Sequence, residues 1–171
     1  MSIYSKNKIT RDSIKTNFKE KVYNQIASLC YREKNEKLRI LLITSKRSTR
    51  WIIPKGWKID KMSNRKSAAL EAWEEAGVQG RVSEKLIGTY YYRKKVTSDD
   101  FKTCAVKVFA LNVAAIKKKF PERGQRKVKW VTPNEAILLV AEPELKNLIR
   151  KFTKKLEKRK TALAASRSIN Q

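Results

Sequence analysis

The chain has 171 residues, of which 41 are Lys or Arg and 16 are Asp or Glu, a formal charge of +25, and 41% are hydrophobic. That length suits one domain with a proper core, and the charge draws polyanions to the surface without distinguishing nucleic acid, nucleotides, inositol phosphates or anionic membrane. The two cysteines, Cys30 and Cys104, show no metal-ligand spacing, and no segment is apolar for long enough to act as a signal peptide or span a bilayer. These features exclude a disulfide framework and a membrane helix, and predict a soluble, cytoplasmic protein with reduced thiols.

In chain order, residues 1–17 are polar and basic and are expected to form a flexible arm before a domain over 18–158. Val22 to Tyr31 reads as a strand, and Leu38 to Ser45 (LRILLITS) as a second, its continuous apolar core implying burial on both faces. The charged REKNEK between them makes the pair a hairpin. A short third strand, RWIIP, delivers the chain to a tight turn at Lys55–Gly56. A helix then begins near Ser63 or Asn64, both good N-caps, and stops at Gly77, the usual place for a left-handed cap.

That helix carries Glu71, Glu74 and Glu75 at i, i+3 and i+4, on one side of it. Like charges so spaced repel by about 0.2–0.5 kcal/mol per pair, a cost that makes sense if a hard divalent cation sits among the carboxylates. Downstream, EKLIGTYYYRKKV and FKTCAVKVFALNV are strands joined by the turn TSDD. After the charged loop KKKFPERGQRK, VKWV is a short strand, and Thr132-Pro133 opens a helix with Pro133 at N1. A last helix from about Pro143 sets Leu145, Leu148, Ile149, Phe152 and Leu156 on one face against a very basic one, with a frayed tail over 159–171.

From Gly56 to Val78 the chain resembles the Nudix box, G-x5-E-x7-R-E-U-x-E-E-x-G-U with U apolar. Gly56, Glu71, Ala72, Glu74, Glu75, Gly77 and Val78 match in register, while Met62 stands at the first glutamate and Leu70 at the arginine. The preceding RWIIPKG and the two alanines before the acidic run resemble the diphosphoinositol-polyphosphate phosphohydrolase branch. The resemblance implies an α/β (α+β) Nudix fold, a mixed sheet sandwiched between helices, and a hydrolase acting on phosphoric anhydride bonds. It implies magnesium, with manganese as the alternative ion, held at Lys55, Gly56, Glu71, Glu74 and Glu75. Glu74, Glu75 and Glu122 are the implied catalytic carboxylates, with Glu122 the candidate outside the box. Arg47, Arg50, Arg93, Lys94 and Arg126 are the implied contacts to a polyanionic small-molecule substrate, a diphosphoinositol polyphosphate or a dinucleoside polyphosphate. Two alternatives stand beside this: a Nudix-fold module binding nucleic acid or phosphorylated ligands without turnover, and removal of pyrophosphate from RNA 5′ ends. Met62 and Leu70 are expected to hold the loop by packing on each other where the family uses a charged pair. The oligomeric state is not legible.

Overall fold

A computed structural model describes residues 21–169; the arm expected over 1–17 lies outside the described residues. In chain order the elements are β1 (Val22–Lys34), β2 (Lys37–Thr44), β3 (Trp51–Ile52), β4 (Lys55–Trp57), α1 (Asn64–Ala76), β5 (Val78–Val82), β6 (Gly88–Lys95), β7 (Phe101–Ile116), β8 (Val128–Val131), α2 (Pro133–Leu139) and α3 (Pro143–Ile169). The eight strands form one sheet, ordered β3-β2-β1-β7-β5, with β4 also on β1, β6 on β7 and β8 on β2. Only β1 and β7 run parallel, from Val22 opposite Thr103 to Tyr31 opposite Asn112; the other pairings are antiparallel, so the sheet is mixed.

The sheet buries both faces, as the unbroken apolar run of β2 requires. Ile40 and Leu42 join one cluster with Leu29, Val106, Val108, Leu145, Ile149 and Phe152, under α2 and α3. Leu41 and Ile43 point the other way, to Ile26, Leu111, Ala68, Ala72 and Ala76 under α1. The alanine stripe lets α1 lie close on the sheet, and Ser28 donates to the Ala68 carbonyl at 2.6 Å across that contact. Helices therefore cover both faces of a mixed sheet, the fold class that the Nudix resemblance implies.

The caps follow from local chemistry. Ser63 is the α1 N-cap and its side chain accepts from the Lys66 amide, while Gly77 closes the helix in the left-handed region at φ 66°. Thr132 caps α2 in a full capping box with Glu135, behind Pro133. Both cysteines are buried and unpaired. No helix among the described residues is long and apolar enough to cross a membrane.

Two expectations are corrected and one strand is added. Lys55–Gly56 is not a tight turn: Lys55, Gly56 and Trp57 form β4, paired antiparallel with Ala27, Ile26 and Gln25, and Gly56 is not in the left-handed region. Val78–Val82, to which the residue pattern assigns no element, is β5 on β7, with a bulge between Gln79 and Gly80. The tail over 159–171 is not frayed from its start, since α3 continues to Ile169. Its TALAASR stretch is rich in good helix formers, which extends the helix past its docked portion.

Candidate active site

The site forms where the C-terminal half of α1 meets β4. Glu71 and Glu75, four residues apart, project toward that strand. The Lys55 amide donates to Glu75 Oε2 at 2.9 Å. Gly56 faces Glu71 so closely that a Cβ at this position would run into the Glu71 carboxylate. The glycine is required by this approach of a side chain and not by its own backbone angles.

The loop after β7 closes the site from the other side. The Glu122 amide donates to the Glu74 carbonyl at 3.0 Å, and Lys127 and Thr44 exchange two hydrogen bonds at 3.0 Å that fix the far end of the loop on β2. Between them Arg126 spreads its guanidinium over three acceptors. Nε donates to Glu122 Oε2 at 2.7 Å, Nη1 to the Thr44 carbonyl at 2.9 Å, and Nη2 to Glu75 Oε1. Lys46 donates to the remaining Glu122 oxygen at 2.6 Å. Arg126 and Glu75 are both more than nine-tenths buried as side chains.

Electrostatics separates the carboxylates. Burial works against ionisation of Glu122, but hydrogen bonds from Lys46 and Arg126 outweigh it and hold the carboxyl below its ordinary range. Burial pushes Glu75 up, against the Lys55 amide and the charges of Arg126 and Lys55. Glu71 has neither a hydrogen bond nor an ion pair among the described residues; burial, then the charges of Glu75, Glu74 and Glu122, push it up to about 7. Burial also lowers the Lys55 ammonium, opposed by Glu75 and helped by Lys94 and Arg126.

Lys55 therefore meets Glu75, Gly56 meets Glu71, Arg126 joins Glu75 to Glu122, and the charge of Glu74 reaches Glu71. Among the described residues, no three acidic, cysteine or histidine side chains converge as a ready metal cage. Glu75 and Glu122 are drawn to Arg126 instead, and the partly buried Glu71 carboxylate is left facing like charges. This all-oxygen set, with one unpartnered carboxylate that a cation would relieve, fits a hard divalent ion.

The predicted basic contacts divide. Arg126 is an internal partner of Glu75 and Glu122, so its guanidinium is already committed within the site. Lys94 lies on the rim, its ammonium 4.5 Å from the Trp57 ring centroid. Arg93 stacks on Phe101 at 4.8 Å, Arg50 reaches Ser48 at 3.2 Å and Glu142 at 3.5 Å, and Arg47 is exposed. The sequence reading passed over Lys46, whose partner lies 76 positions away; the Glu122–Arg126 spacing of i, i+4 was the available signal for that end of the network. Met62 and Leu70 line one shallow groove with Ala69 and Trp73, on the side of α1 turned away from the carboxylates.

No family model matches the chain. Nudix hydrolase 12, mitochondrial, of Arabidopsis thaliana is 31% identical over 124 residues, 71% of this chain and 61% of the relative. Nudix hydrolase 16, mitochondrial, of the same plant is 33% identical over 127 residues, covering 71% of this chain and 69% of the relative. The chain thus spans less than two thirds of the former and slightly more than two thirds of the latter. Among solved structures, an Ap4A hydrolase from C. elegans superposes with a TM-score of 0.61 at 22% identity, over 80% of this chain and 99% of its own. A MutT protein from Methanosarcina mazei Go1 gives 0.59 at 21% identity, over 80% and 96%. The structural likeness speaks to the fold and the plant sequences to descent, and with the glutamates of the box gathered on β4 the chain belongs to the Nudix hydrolase family.

Proposed function

We propose that the chain is a divalent-cation-dependent pyrophosphohydrolase that cleaves a phosphoric anhydride bond in a dinucleoside polyphosphate. The observation that carries this is the unpartnered Glu71 carboxylate, raised to about 7 and pressed against Gly56 among three further carboxylates. A purely structural helix would gain by replacing such a group, because a half-buried carboxylate without a partner and among like charges is costly. The Ap4A hydrolase likeness supports the dinucleotide over the diphosphoinositol polyphosphate that the strand before the box suggests.

Glu71, Glu74, Glu75 and the Lys55 carbonyl would hold the cation, magnesium or manganese. When bound, such an ion neutralises pyrophosphate charge and acidifies a coordinated water. Lys55 and Lys94 bring positive charge to the phosphates from the β4 and β6 side. Glu122, kept ionised by Lys46 and Arg126, accepts a hydrogen bond from a water and orients it, while its low proton affinity makes it a weak base. Arg126 fixes Glu75 and Glu122 relative to each other, so the acidic groups hold their spacing during turnover.

The test is product analysis with diadenosine tetraphosphate, a diphosphoinositol polyphosphate and a 5′-triphosphorylated RNA, each with magnesium and with manganese. Hydrolysis of the dinucleotide, lost in a folded Glu71→Gln variant, is the expected result. No turnover of any substrate at high enzyme concentration would refute the hydrolase reading and leave a binding module.

A further inference from the structure

One end of the sheet presents an aromatic and cationic surface that the catalytic carboxylates do not use. Trp57 lies two residues from Lys55 on β4, and Lys94 two residues from Tyr92 on β6, so each pair shares a face. Their register partners place them on the same side. Lys55 is opposite Ala27 and Trp57 opposite Gln25; Tyr92 is opposite Cys104 and Lys94 opposite Lys102. Farther along that face, Ala27, Val106 and Tyr90 belong to the core beneath α2 and α3.

Toward the open end the apolar residues give way to interleaved rings and ammonium groups. The Lys55 ammonium lies 4.9 Å from the Tyr92 ring centroid and that of Lys94 4.5 Å from Trp57. Lys102 lies 4.8 Å from the Tyr23 ring, which meets Trp57 edge-on at 6.3 Å. Trp57 is 44% exposed, a large area of indole to leave in water beside a site for phosphates. Deeper in, Tyr92 and Tyr90 rings are 6.3 Å apart, and burial pushes both phenols up, followed by Glu142 at Tyr90 and by Cys104 at Tyr92. Glu142 Oε2 is buried with no hydrogen-bond partner, and its other oxygen is only 3.5 Å from exposed Arg50.

We propose that this surface is a nucleoside subsite, in which a base stacks on the Trp57 indole, Lys94 and Lys102 bind the adjoining phosphate, and the phosphate chain passes Lys55 and rounds the edge strand β4 to the carboxylates that α1 brings to it from the opposite face of the sheet. An indole face bounded by cations suits a flat π-system carrying a phosphate. The inference rests on the hydrolase reading above, since it orients that substrate.

The test uses the full chain without metal, so that binding is read apart from turnover. Calorimetric titration with diadenosine tetraphosphate, inorganic tripolyphosphate and inositol hexakisphosphate is run on the wild type, Trp57→Ala and Trp57→Phe. Trp57→Ala weakens the dinucleotide about tenfold, the worth of one base stack, and Trp57→Phe restores most of it. Tripolyphosphate binds Trp57→Ala as it binds the wild type. Equal weakening of all three ligands, or no weakening of the dinucleotide in a variant with the wild-type melting temperature, overturns the subsite. Trp57-dependent dinucleotide binding without turnover under any metal refutes the hydrolase reading alone; turnover unaffected by Trp57→Ala refutes this inference alone.

Discussion

Arg126→Leu tests the internal logic of the site most directly. The substitution removes a guanidinium that serves Glu75, Glu122 and the Thr44 carbonyl together. Glu122 keeps Lys46, and at 22% side-chain exposure it also keeps water. Glu75 keeps the Lys55 amide at 2.9 Å and the charge of Lys55, but becomes a buried charge without a hydrogen-bonded counterion. Breaking a buried pair from one side costs about 3–5 kcal/mol, an order of magnitude set by the partner left behind. For a domain of this size that is a fall of about 6–20 °C in melting temperature, at about 2–4 °C per kcal/mol.

The pH dependence carries the sign. In the variant the Glu75 pKa is raised further above its unfolded value, so the protonated form is favoured by folding. Its penalty is absent below the ordinary carboxylate value of 4.5, where both states carry the proton, and grows as pH rises. Urea denaturation at pH 4 and pH 8 should therefore show a small difference from wild type at the former and the full loss at the latter. Arg126→Leu/Glu75→Leu, which removes both charges, should recover most of the stability at pH 8. A loss below about 1 kcal/mol for the single variant at pH 8, or a double variant no more stable than the single, would show that the network is a surface arrangement of little worth.

Three shorter predictions accompany it. Gly56→Ala should change the urea midpoint little, because the Glu71 carboxylate it meets ends a flexible side chain, yet lower turnover about 100-fold by displacing that carboxylate; a large loss of stability with normal turnover would reverse the roles. In the metal-free protein, the stability contributed by protonated Glu71 is fully present below pH 4.5 and is lost as pH rises through about 7, so Glu71→Gln should flatten the stability profile across that window; parallel profiles would show that Glu71 does not titrate there. Met62→Glu and Leu70→Arg should each destabilise more singly than together, with a coupling of about 0.5–3 kcal/mol, because both line the groove beside Trp73; additive melting shifts would count against direct packing.

Much of this was readable from residue pattern because the relevant physics is local. The continuous LRILLIT run predicts a strand buried on both faces, and its residues alternate between the two clusters. Ser63, Gly77 and Thr132-Pro133 mark helix ends through side-chain or backbone geometry that acts within four residues. The short β4 and β5 segments lack such signals. Lys55–Trp57 is too short to show a period, and it becomes a strand only because β1 offers a free edge opposite Gln25–Ala27. The parallel pairing of β1 with β7 joins segments about eighty positions apart, a match that no local propensity encodes.

The site divides in the same way. The spacing of Glu71, Glu74 and Glu75 is a property of one helix and shows in the sequence at once. Arg126 is one of 41 basic residues, and the one local mark of its role is the i, i+4 spacing to Glu122, which does not show that the side chain turns inward. Its role depends on Glu75, 51 positions away, and on the Thr44 carbonyl, 82 positions away. This bears on the two departures from the Nudix box. Met62 and Leu70 look from sequence alone like the loss of a charged brace needed for chemistry. In the fold they line one groove on the far side of the helix, while a buried arginine on a different loop braces the carboxylates from the front. A defect at two positions of a motif therefore does not measure the integrity of the site, because the positional constraint on a glutamate can be met from any segment that the topology brings within reach.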